Sequence, residues 1–590
     1  MPKKLTRRKA MRKFLCVALG GFLAFSAVAC NRESGGEKVD TSKTQLYIGA
    51  LNSGISIEHL EQTAKEFEEF YKERSFEDDK KGVQVIIDPG QIGDFEGEQV
   101  FNKIANSRDA LFYTQAVDYY KFVNAGLLAD ITTEVRADLS AYGDGNGVTI
   151  ESKMDKQQRD FLAVDGKYYA VPWYNAFYGM YYDVDLFERE GFYFAKGQTA
   201  DDMDLTDDQI DLSGLFVFDK EDERSYGPDG KTGVDEATGI DYSMDDGLPA
   251  TFQDFFALTL YMSTCGVDPL IWNGKLFYLS SFVLACAVNE MGKEGTLANL
   301  DYSGQVSDLV KEVTVDSKGN ASYTYYEPQT ITKENGYMLS RQQGKFDALA
   351  FWERLVGSEH NYSSMSFSSS LTHTGAQDEF LYSSAMSSKK DIGMIIEGSW
   401  LNAEATVTMA DMEINDGEQY SQQNRRIGIM PFPWSSRDKV GSKQTALGTS
   451  DSYIFMNANA KGVTADVAKL FLQFANTDRQ LINFTKLTGV TRGIRTNKIT
   501  AEDLNSMNYY AKSMLNYQNG ANLVFPVSTQ GFVLNNWSDL KIDAWTWYAD
   551  VNGAQTRDFT YDFRDGTRTA KAHFDGMYAY AEKNWSKYTN

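Results

Sequence analysis

The sequence predicts an α/β protein with at least two lobes, and two observations carry this prediction. Short apolar segments with strand character alternate with segments of helical periodicity, which is typical of a mostly parallel sheet covered by helices. About 545 residues follow residue 44, and a chain of that length exceeds what one hydrophobic core usually holds. We therefore expect at least two cores.

The alternation begins at Gln45, where a strand to Leu51 precedes a helix capped by Ser56 with apolar residues three and four positions apart. Serine or threonine followed three residues later by an acid or amide predicts helix starts at Thr251 and Thr477. Further strands are predicted from short apolar runs bounded by turn residues. These runs are 83–88, 110–113, 392–396, 427–430 and 452–456.

The first thirty residues predict a targeting segment. Seven basic residues and no acid precede an apolar run, Phe14 to Phe25, that is too short for a permanent membrane helix. Small residues then lead to Cys30, an arrangement that resembles a bacterial lipobox. We expect a signal peptide over 1–29 and a flexible polar tether over 30–44.

The lipobox resemblance implies that Cys30 carries two acyl chains, which suffice for stable anchoring. The protein would then lie on the extracytoplasmic face of the bacterial cytoplasmic membrane. An ordinary signal peptide cut near Ala29 is the alternative. No later apolar stretch in the sequence approaches the length of a membrane span.

The charge of the chain argues against nucleic acid as a partner. Its formal net charge is −24, and loss of the seven basic residues within 1–29 makes it −31. Such a surface repels nucleic acid and anionic headgroups. The four histidines are scattered without metal-ligand spacing, so we expect neither a metal nor a cofactor.

The segment 192–247 predicts an acidic surface insertion. Sixteen acids and three bases lie between Asp201 and Asp246. A solvated loop is the expected structure, and a calcium site is the alternative because oxygen clusters bind that ion. The candidate ligands are Asp229, Asp235, Asp241, Asp245 and Asp246. Cys265 and Cys286 either pair in an oxidising compartment or remain as two buried thiols, which we favour.

Seven short motifs in order resemble the carbohydrate-type extracellular solute-binding proteins of ABC importers, the maltose-binding-protein-like group. Together they fall within about 45–495, whereas 192–247, 295–340 and 500–590 have no clear counterpart. The motifs are Phe67-Glu68 with Val83–Val85, Asn124–Asp130, Tyr169–Pro172 with Met180–Phe187, Leu248–Asp254, Gly393–Trp400, Gly428–Pro433 and Ala468–Asn476.

The resemblance implies two interleaved α/β lobes joined by a hinge around a central ligand cleft, the periplasmic-binding-protein-like fold. Hinge closure around ligands in periplasmic binding proteins is a documented transition. Chain crossings are expected near 172–176, 396–399 and 449–452. Lobe 1 would then comprise 44–172 plus 397–448, and lobe 2 would comprise 173–396 plus 449–590.

The candidate ligand-binding residues lie where predicted strands end at the cleft, since loops at strand ends carry ligands in such folds. Aromatic faces suit the C–H patches of sugar rings, and planar amide and carboxylate groups suit vicinal hydroxyls. The candidates are Asn52, Ser53, Tyr113, Gln115, Asp118, Trp173, Tyr174, Asn175, Trp272, Asn273, Glu397, Trp400, Trp434 and Asp451.

The function implied by the resemblance is binding of an extracellular sugar, an oligosaccharide, and its delivery to the permease subunits of an ABC transporter. We expect a monomer without enzymatic activity. The alternatives are a surface glycoside hydrolase, which needs two carboxyl groups of different pKa, and a polysaccharide-capture lipoprotein that works without an importer. The sequence does not identify the sugar.

Overall fold

The computed structural model describes residues 39–589 except 53, 90–97, 116–118, 208–209, 219, 237, 275, 317–320, 449–451, 543–546 and 557. The predicted signal peptide and Cys30 lie outside these residues. Across the described ranges, no helix combines the length and the apolar character that a bilayer crossing needs.

The strands form two larger sheets and several short pairs. In chain order the strands are β1 (Thr44–Ala50), β2 (Val83–Pro89), β3 (Leu111–Thr114), β4 (Ala163–Val164), β5 (Lys167–Tyr168), β6 (Ala170–Pro172), β7 (Tyr174–Asn175), β8 (Tyr178–Asp183), β9 (Tyr193–Phe194), β10 (Phe216–Val217), β11 (Asp268–Ile271), β12 (Gly304–Val306), β13 (Val310–Val315), β14 (Ala321–Tyr325), β15 (Gln329–Ile331), β16 (Ile392–Gly398), β17 (Ile427–Met430), β18 (Thr445–Leu447), β19 (Tyr453–Met456), β20 (Thr491–Arg492), β21 (Asn522–Val524), β22 (Ala549–Val551) and β23 (Ala554–Thr556).

The helices cover these sheets and extend the second lobe. In chain order they are α1 (Glu58–Phe70), α2 (Glu98–Asn106), α3 (Tyr119–Asn124), α4 (Thr132–Val135), α5 (Ile150–Lys153), α6 (Lys156–Leu162), α7 (Val184–Glu190), α8 (Phe252–Thr264), α9 (Leu276–Asp301), α10 (Gln343–Val356), α11 (His373–Ser383), α12 (Leu401–Glu404), α13 (Thr406–Asp416), α14 (Gly462–Phe474), α15 (Asp478–Thr488), α16 (Ala501–Asn505), α17 (Tyr509–Gly520), α18 (Gly531–Asn535), α19 (Trp537–Leu540), α20 (Thr560–Arg564), α21 (Ala570–Asn584) and α22 (Ser586–Thr589).

The first sheet has the strand order β2-β1-β3-β19-β6. β1 runs parallel to β2 and β3, whereas β19 is antiparallel to both of its neighbours. Helix α1 packs against β2, and α14 packs against β1. The buried face of α1 includes Leu60, Ala64 and Phe67, three of the apolar positions from which the helix was predicted. This sheet and its helices form the first lobe.

The second sheet has the order β11-β16-β8-β17. β16 is parallel to β11, and β8 is antiparallel to both β16 and β17. Every residue of β16 is buried, as expected for a strand covered on both faces. Helix α11 covers β16 and α17 covers β17. The predicted fold class, two interleaved α/β lobes, is therefore confirmed.

The predicted division of the C-terminal half between the lobes was wrong. We expected 397–448 in lobe 1 and 449–590 in lobe 2, but β17 pairs with β8 in the second sheet and β19 pairs with β3 in the first. The chain crosses between the sheets after β6, between β18 and β19, and after β20. The predicted crossing at 396–399 is instead the end of β16, which stays in the second sheet because it remains paired with β8 through Gly398.

The crossing segments pack so closely that two positions exclude a side chain. A Cβ atom at Gly493 would lie 2.6 Å from Pro172 Cβ, and one at Gly448 would lie 2.2 Å from Asn175 Oδ1. Between them, β20 pairs with β7 and donates the Thr491 hydroxyl to the Asn175 carbonyl. Three chain segments are thus joined at the hinge.

Two of the three regions without counterparts, 295–340 and 500–590, join to extend the second lobe. Their apolar residues form a small separate core that includes Tyr302, Leu339 and Trp585. The Trp585 indole donates a hydrogen bond to the Lys333 carbonyl at 2.7 Å. This extension packs around α9 and α10. Its small core includes no residue of the crossing segments.

Several local predictions can be compared with the structure. Thr251 caps α8 with the predicted capping box. Thr477 makes no side-chain cap bond; its hydroxyl donates to the Phe474 carbonyl at 2.9 Å, and Gln480 donates to Glu66 of α1. Cys265 and Cys286 are both free thiols, and only Cys286 is buried.

Replacement of Gly493 by alanine tests the close packing at the hinge. The new methyl group would overlap Pro172, and overpacking of this kind costs about 1–3 kcal/mol. We expect urea unfolding to show a loss of that size. The matched control is Gly531→Ala, where the methyl group meets nothing within 4 Å. Equal stability of the two variants would contradict the account of the hinge.

Candidate functional site

The candidate site lies where the edges of the two sheets face each other at the hinge. β1, β3 and β6 of the first sheet end at this junction, and β16 and β11 of the second sheet end there as well. The Ser399 N–H donates to the Phe177 carbonyl at 3.0 Å, which continues the pairing of β16 with β8 beyond Gly398 and towards this junction. The loop after β1 also reaches the second lobe, where a Cβ at Gly54 would lie 2.6 Å from Glu404 Oε1.

Trp400 is the most exposed of the predicted tryptophans, and its position depends on a glycine. Its indole lies against the end of its own strand, where a Cβ at Gly398 would come within 2.2 Å of the ring. Tyr178 pairs with Gly398 across the sheet, and its ring stands perpendicular to Trp400 at 5.2 Å. Both rings are half-buried. They offer apolar faces at the junction of the lobes.

A polar cluster adjoins the Trp400 ring. The Gln377 amide donates to Glu397 Oε2 at 3.2 Å and to Glu404 Oε2 at 2.8 Å. The other oxygen of Glu397 accepts from the Gly398 N–H at 2.9 Å. His373 Nε2 lies 3.8 Å from Glu404. Two carboxyl groups and an amide are therefore held together beside an aromatic face.

The protonation of Glu397 follows from its burial. Its side chain is 1% exposed, and this desolvation raises the pKa of its carboxyl to about 8, although the Gly398 N–H and Gln377 donate to it. The negative charge of Glu404 acts in the same direction. At neutral pH Glu397 is therefore mostly protonated.

The first lobe contributes a second group of rings. Trp173 is fully buried, with the Tyr113 ring perpendicular to it at 5.5 Å and the His59 ring at 6.0 Å. Among the described residues, the Trp173 indole N–H, the Tyr113 hydroxyl and both His59 ring nitrogens have no hydrogen-bond partner. Arg492 donates to the Trp173 carbonyl at 2.6 Å. Buried polar groups without partners are uncommon, and these lie at the edge that faces the second lobe.

Two predicted tryptophans of the second lobe serve other contacts. Trp272 is fully buried among Trp352, Tyr362 and Phe367. Trp434 is 3% exposed and donates its indole N–H to the Pro228 carbonyl of the acidic insertion at 3.0 Å. These contacts account for both rings as packing residues, so we do not carry them into the proposed site.

The remaining candidates divide by their exposure. Asn52 is exposed and Gln115 is half-buried, whereas Tyr174, Asn175 and Asn273 are buried at the junction. The amide of Asn175 donates to Gln518 of the second lobe at 3.4 Å. Ser53, Asp118 and Asp451 lie outside the described residues.

The aspartates of the insertion do not assemble into a metal site in the described part of the chain, where no group of three or more potential ligands occurs. The Asp241 carboxylate accepts from the Ser243 N–H at 3.0 Å, which caps a short helical turn. Asp245 accepts from the Asp229 N–H at 3.2 Å. These carboxylates therefore serve the fold of the insertion.

Sequence reasoning missed Tyr178, Gln377, His373 and Glu404. Glu404 follows Trp400 by one helical turn, a spacing that could have identified it. Tyr178 reaches the site through its pairing with Gly398 across the sheet, and Gln377 reaches it because α11 packs on β16. Neither relationship is visible in local sequence.

Comparisons with known proteins give similarity at the level of solved structures. No family model matches the chain, and no curated protein matches it. It is similar to "Chitin oligosaccharide binding protein" at 13% identity, covering 90% of this chain and 95% of the other with a TM-score of 0.46. It is similar to "SBP RafE in complex with raffinose" at 15% identity, with coverages of 93% and 100% and a TM-score of 0.46. It is also similar to "Maltose bound T. maritima MalE3" at 11% identity, with coverages of 92% and 99% and a TM-score of 0.48. Likeness at these values carries no conclusion about the ligand of this chain.

Glu397→Gln tests the protonation of the buried carboxyl. Because the pKa of Glu397 is raised to about 8 from its ordinary value of 4.5, its contribution to stability is complete below pH 4.5 and is lost as pH rises through 8. Glutamine is neutral like the protonated acid, and its carbonyl oxygen can still accept from the Gly398 N–H. We expect the variant to lose less stability than the parent between pH 6 and 9, by on the order of a few kcal/mol.

The comparison is made by urea unfolding at each pH. Glu413→Gln on the exposed face of α13 is the control, and we expect it to follow the parent. Parallel pH profiles of the Glu397 variant and the parent would show that Glu397 is ionised at neutral pH.

Proposed function

We propose that this protein binds an extracellular sugar, an oligosaccharide, between its two lobes and delivers it to the permease subunits of an ABC transporter. The observation that carries the proposal is the pair of half-buried rings, Trp400 and Tyr178, set beside a polar cluster where two hinged lobes meet. The sequence motifs that resemble carbohydrate-type solute-binding proteins support the same function. Identity of the sugar is left open by these features.

The chemistry of the junction fits a neutral carbohydrate. A sugar ring has apolar C–H patches on its faces and hydroxyls around its rim. The indole of Trp400 suits the faces, and the carboxylate of Glu404 suits the hydroxyls as an acceptor. A wrong sugar that left such buried polar groups unpaired would lose about 1–3 kcal/mol for each, which provides discrimination.

Binding without catalysis fits the geometry better than glycoside hydrolysis does. Glu397 and Glu404 are neighbouring carboxyl groups of different environment, as a hydrolase requires. However, both oxygens of Glu397 already accept hydrogen bonds from Gly398 and Gln377, and the residue is 1% exposed. It is not placed to protonate a leaving group.

The proposal also includes the location and partners of the chain. A lipid anchor at Cys30 would hold a monomer on the extracytoplasmic face of the cytoplasmic membrane, with the acidic body kept away from anionic headgroups. The importer would then receive sugar from a tethered binding protein. Mass spectrometry of the N-terminal peptide from a membrane fraction would detect the acylated Cys30.

Trp400→Ala tests the sugar site. We expect a thermal-shift screen of the parent chain to identify oligosaccharides that stabilise it. For such a sugar, calorimetry of the variant should show affinity reduced by about tenfold or more, since loss of a stacking face removes at least 1.4 kcal/mol or so. Tyr226→Ala, an exposed aromatic residue of the insertion, is the control and should bind like the parent.

Unchanged affinity in a folded Trp400→Ala variant would remove Trp400 from the site. Release of reducing ends when the parent is incubated with the same oligosaccharide would instead favour the hydrolase. Failure of every tested sugar to stabilise the parent would argue against sugar binding itself.

A further inference from the structure

A cavity lies at the end of β8 that is opposite to Tyr178. Its volume is about 1000 Å3, and none of the predicted site residues lines it. Tyr182 at the end of β8 forms part of its wall, whereas Tyr178 at the start of β8 belongs to the candidate sugar site. Residues of the acidic insertion and of α17 line the cavity. Pockets of this size hold small-molecule ligands in other proteins.

The insertion is fixed over this cavity by an amide side chain. Asn516 of α17 accepts from the Asp241 N–H at 2.8 Å and donates to the Asp241 carbonyl at 2.9 Å. This paired contact resembles the bonding between two strands. It attaches the insertion to the second lobe beside the cavity, and both of its residues line that cavity.

Four basic side chains in the lining come from three separate chain segments, and they are Lys443, Arg495, Lys498 and Lys512. In the described part of the chain, Arg495 has one carboxylate partner, Asp155, at 3.4 Å. Within the described residues, the side chains of the three lysines form no ion pair and no hydrogen bond. This is unusual in a chain with a net charge of −24, where acids outnumber bases.

The positive charge of Lys443 is repelled by nearby cations. The pKa of Lys443 is lowered by partial desolvation and then by the nearby charges of Arg495, Lys293 and Lys231. A like charge nearby disfavours the charged form of a group, and an anion between these cations would relieve that repulsion. The amides of Asn497 and Asn519 also line the cavity and can donate to anionic oxygens.

Acids in the same lining favour hydroxyl groups over bare anions. They belong to the insertion and include Glu236, Asp241 and Asp246. None of these acids forms an ion pair with the four cations in the described residues. Carboxylates accept hydrogen bonds from hydroxyls. The cavity therefore matches a ligand that carries both anionic groups and hydroxyls.

We propose that this cavity binds a hydroxylated organic anion, such as a sugar acid or a sugar phosphate, with its anionic groups against Lys443, Arg495, Lys498 and Lys512. Charge-assisted hydrogen bonds from lysine and arginine to carboxylate or phosphate oxygens hold it there. The site shares no residue with the Trp400 region and takes a ligand of different charge. The proposal does not depend on sugar binding at Trp400.

The test compares two triple variants that change the net charge equally. The test variant is Lys443→Gln/Lys498→Gln/Lys512→Gln, and the control is Lys311→Gln/Lys486→Gln/Lys587→Gln, which alters exposed lysines elsewhere. The probes are trigalacturonate, glucose 6-phosphate and citrate, with maltotriose as a neutral sugar. Binding is measured by calorimetry at constant ionic strength.

We expect at least one anionic probe to bind the parent and the control alike, and to bind the test variant about tenfold more weakly or not at all. Added NaCl should weaken this binding, because salt screens exposed charges. The preferred probe distinguishes carboxylate from phosphate ligands. Any affinity for maltotriose should be equal in all three proteins.

Two results would overturn the proposal. One is the absence of binding of every anionic probe to the parent. The other is equal binding of an anionic probe to the parent and to the test variant, which would place it elsewhere. If the triple variant fails to fold, Lys498→Gln alone serves instead, because this side chain is exposed and forms no hydrogen bond or ion pair in the described residues.

Discussion

The close packing of the three crossing segments decides where every other functional feature lies. Gly493 against Pro172 and Gly448 against Asn175 leave no room for a Cβ atom, so the crossings form one compact joint between the sheets. The strand ends of both sheets meet beside this joint. Aromatic and polar side chains at those ends are therefore brought together even though they come from distant parts of the chain.

The second lobe separates two chemistries at the two ends of one strand. At the start of β8, two half-buried rings lie beside a buried and mostly protonated Glu397, a setting suited to a neutral ligand. At its far end, lysines without ion-pair partners in the described residues line a cavity of about 1000 Å3 together with acids of the insertion. The two regions differ in charge and would therefore suit different ligands.

The sequence was sufficient for features encoded locally. The strand predicted at 427–430 has those bounds in the structure, and the capping box at Thr251 forms. Sheet membership was not encoded locally, because β17 and β19 look alike as short apolar runs and their partners are set by tertiary packing. The same limit applies to the site. Trp400 was identified as the last residue of one motif, whereas Trp434 directly follows another and is bonded to Pro228 of the insertion.

Small-angle X-ray scattering tests the central claim, that two lobes bend about the hinge to enclose a neutral sugar. The protein is measured alone and with an oligosaccharide that calorimetry has shown to bind. The account predicts a smaller radius of gyration on binding, as expected for hinge closure around a ligand. A saturating sugar that leaves the scattering profile unchanged would contradict it.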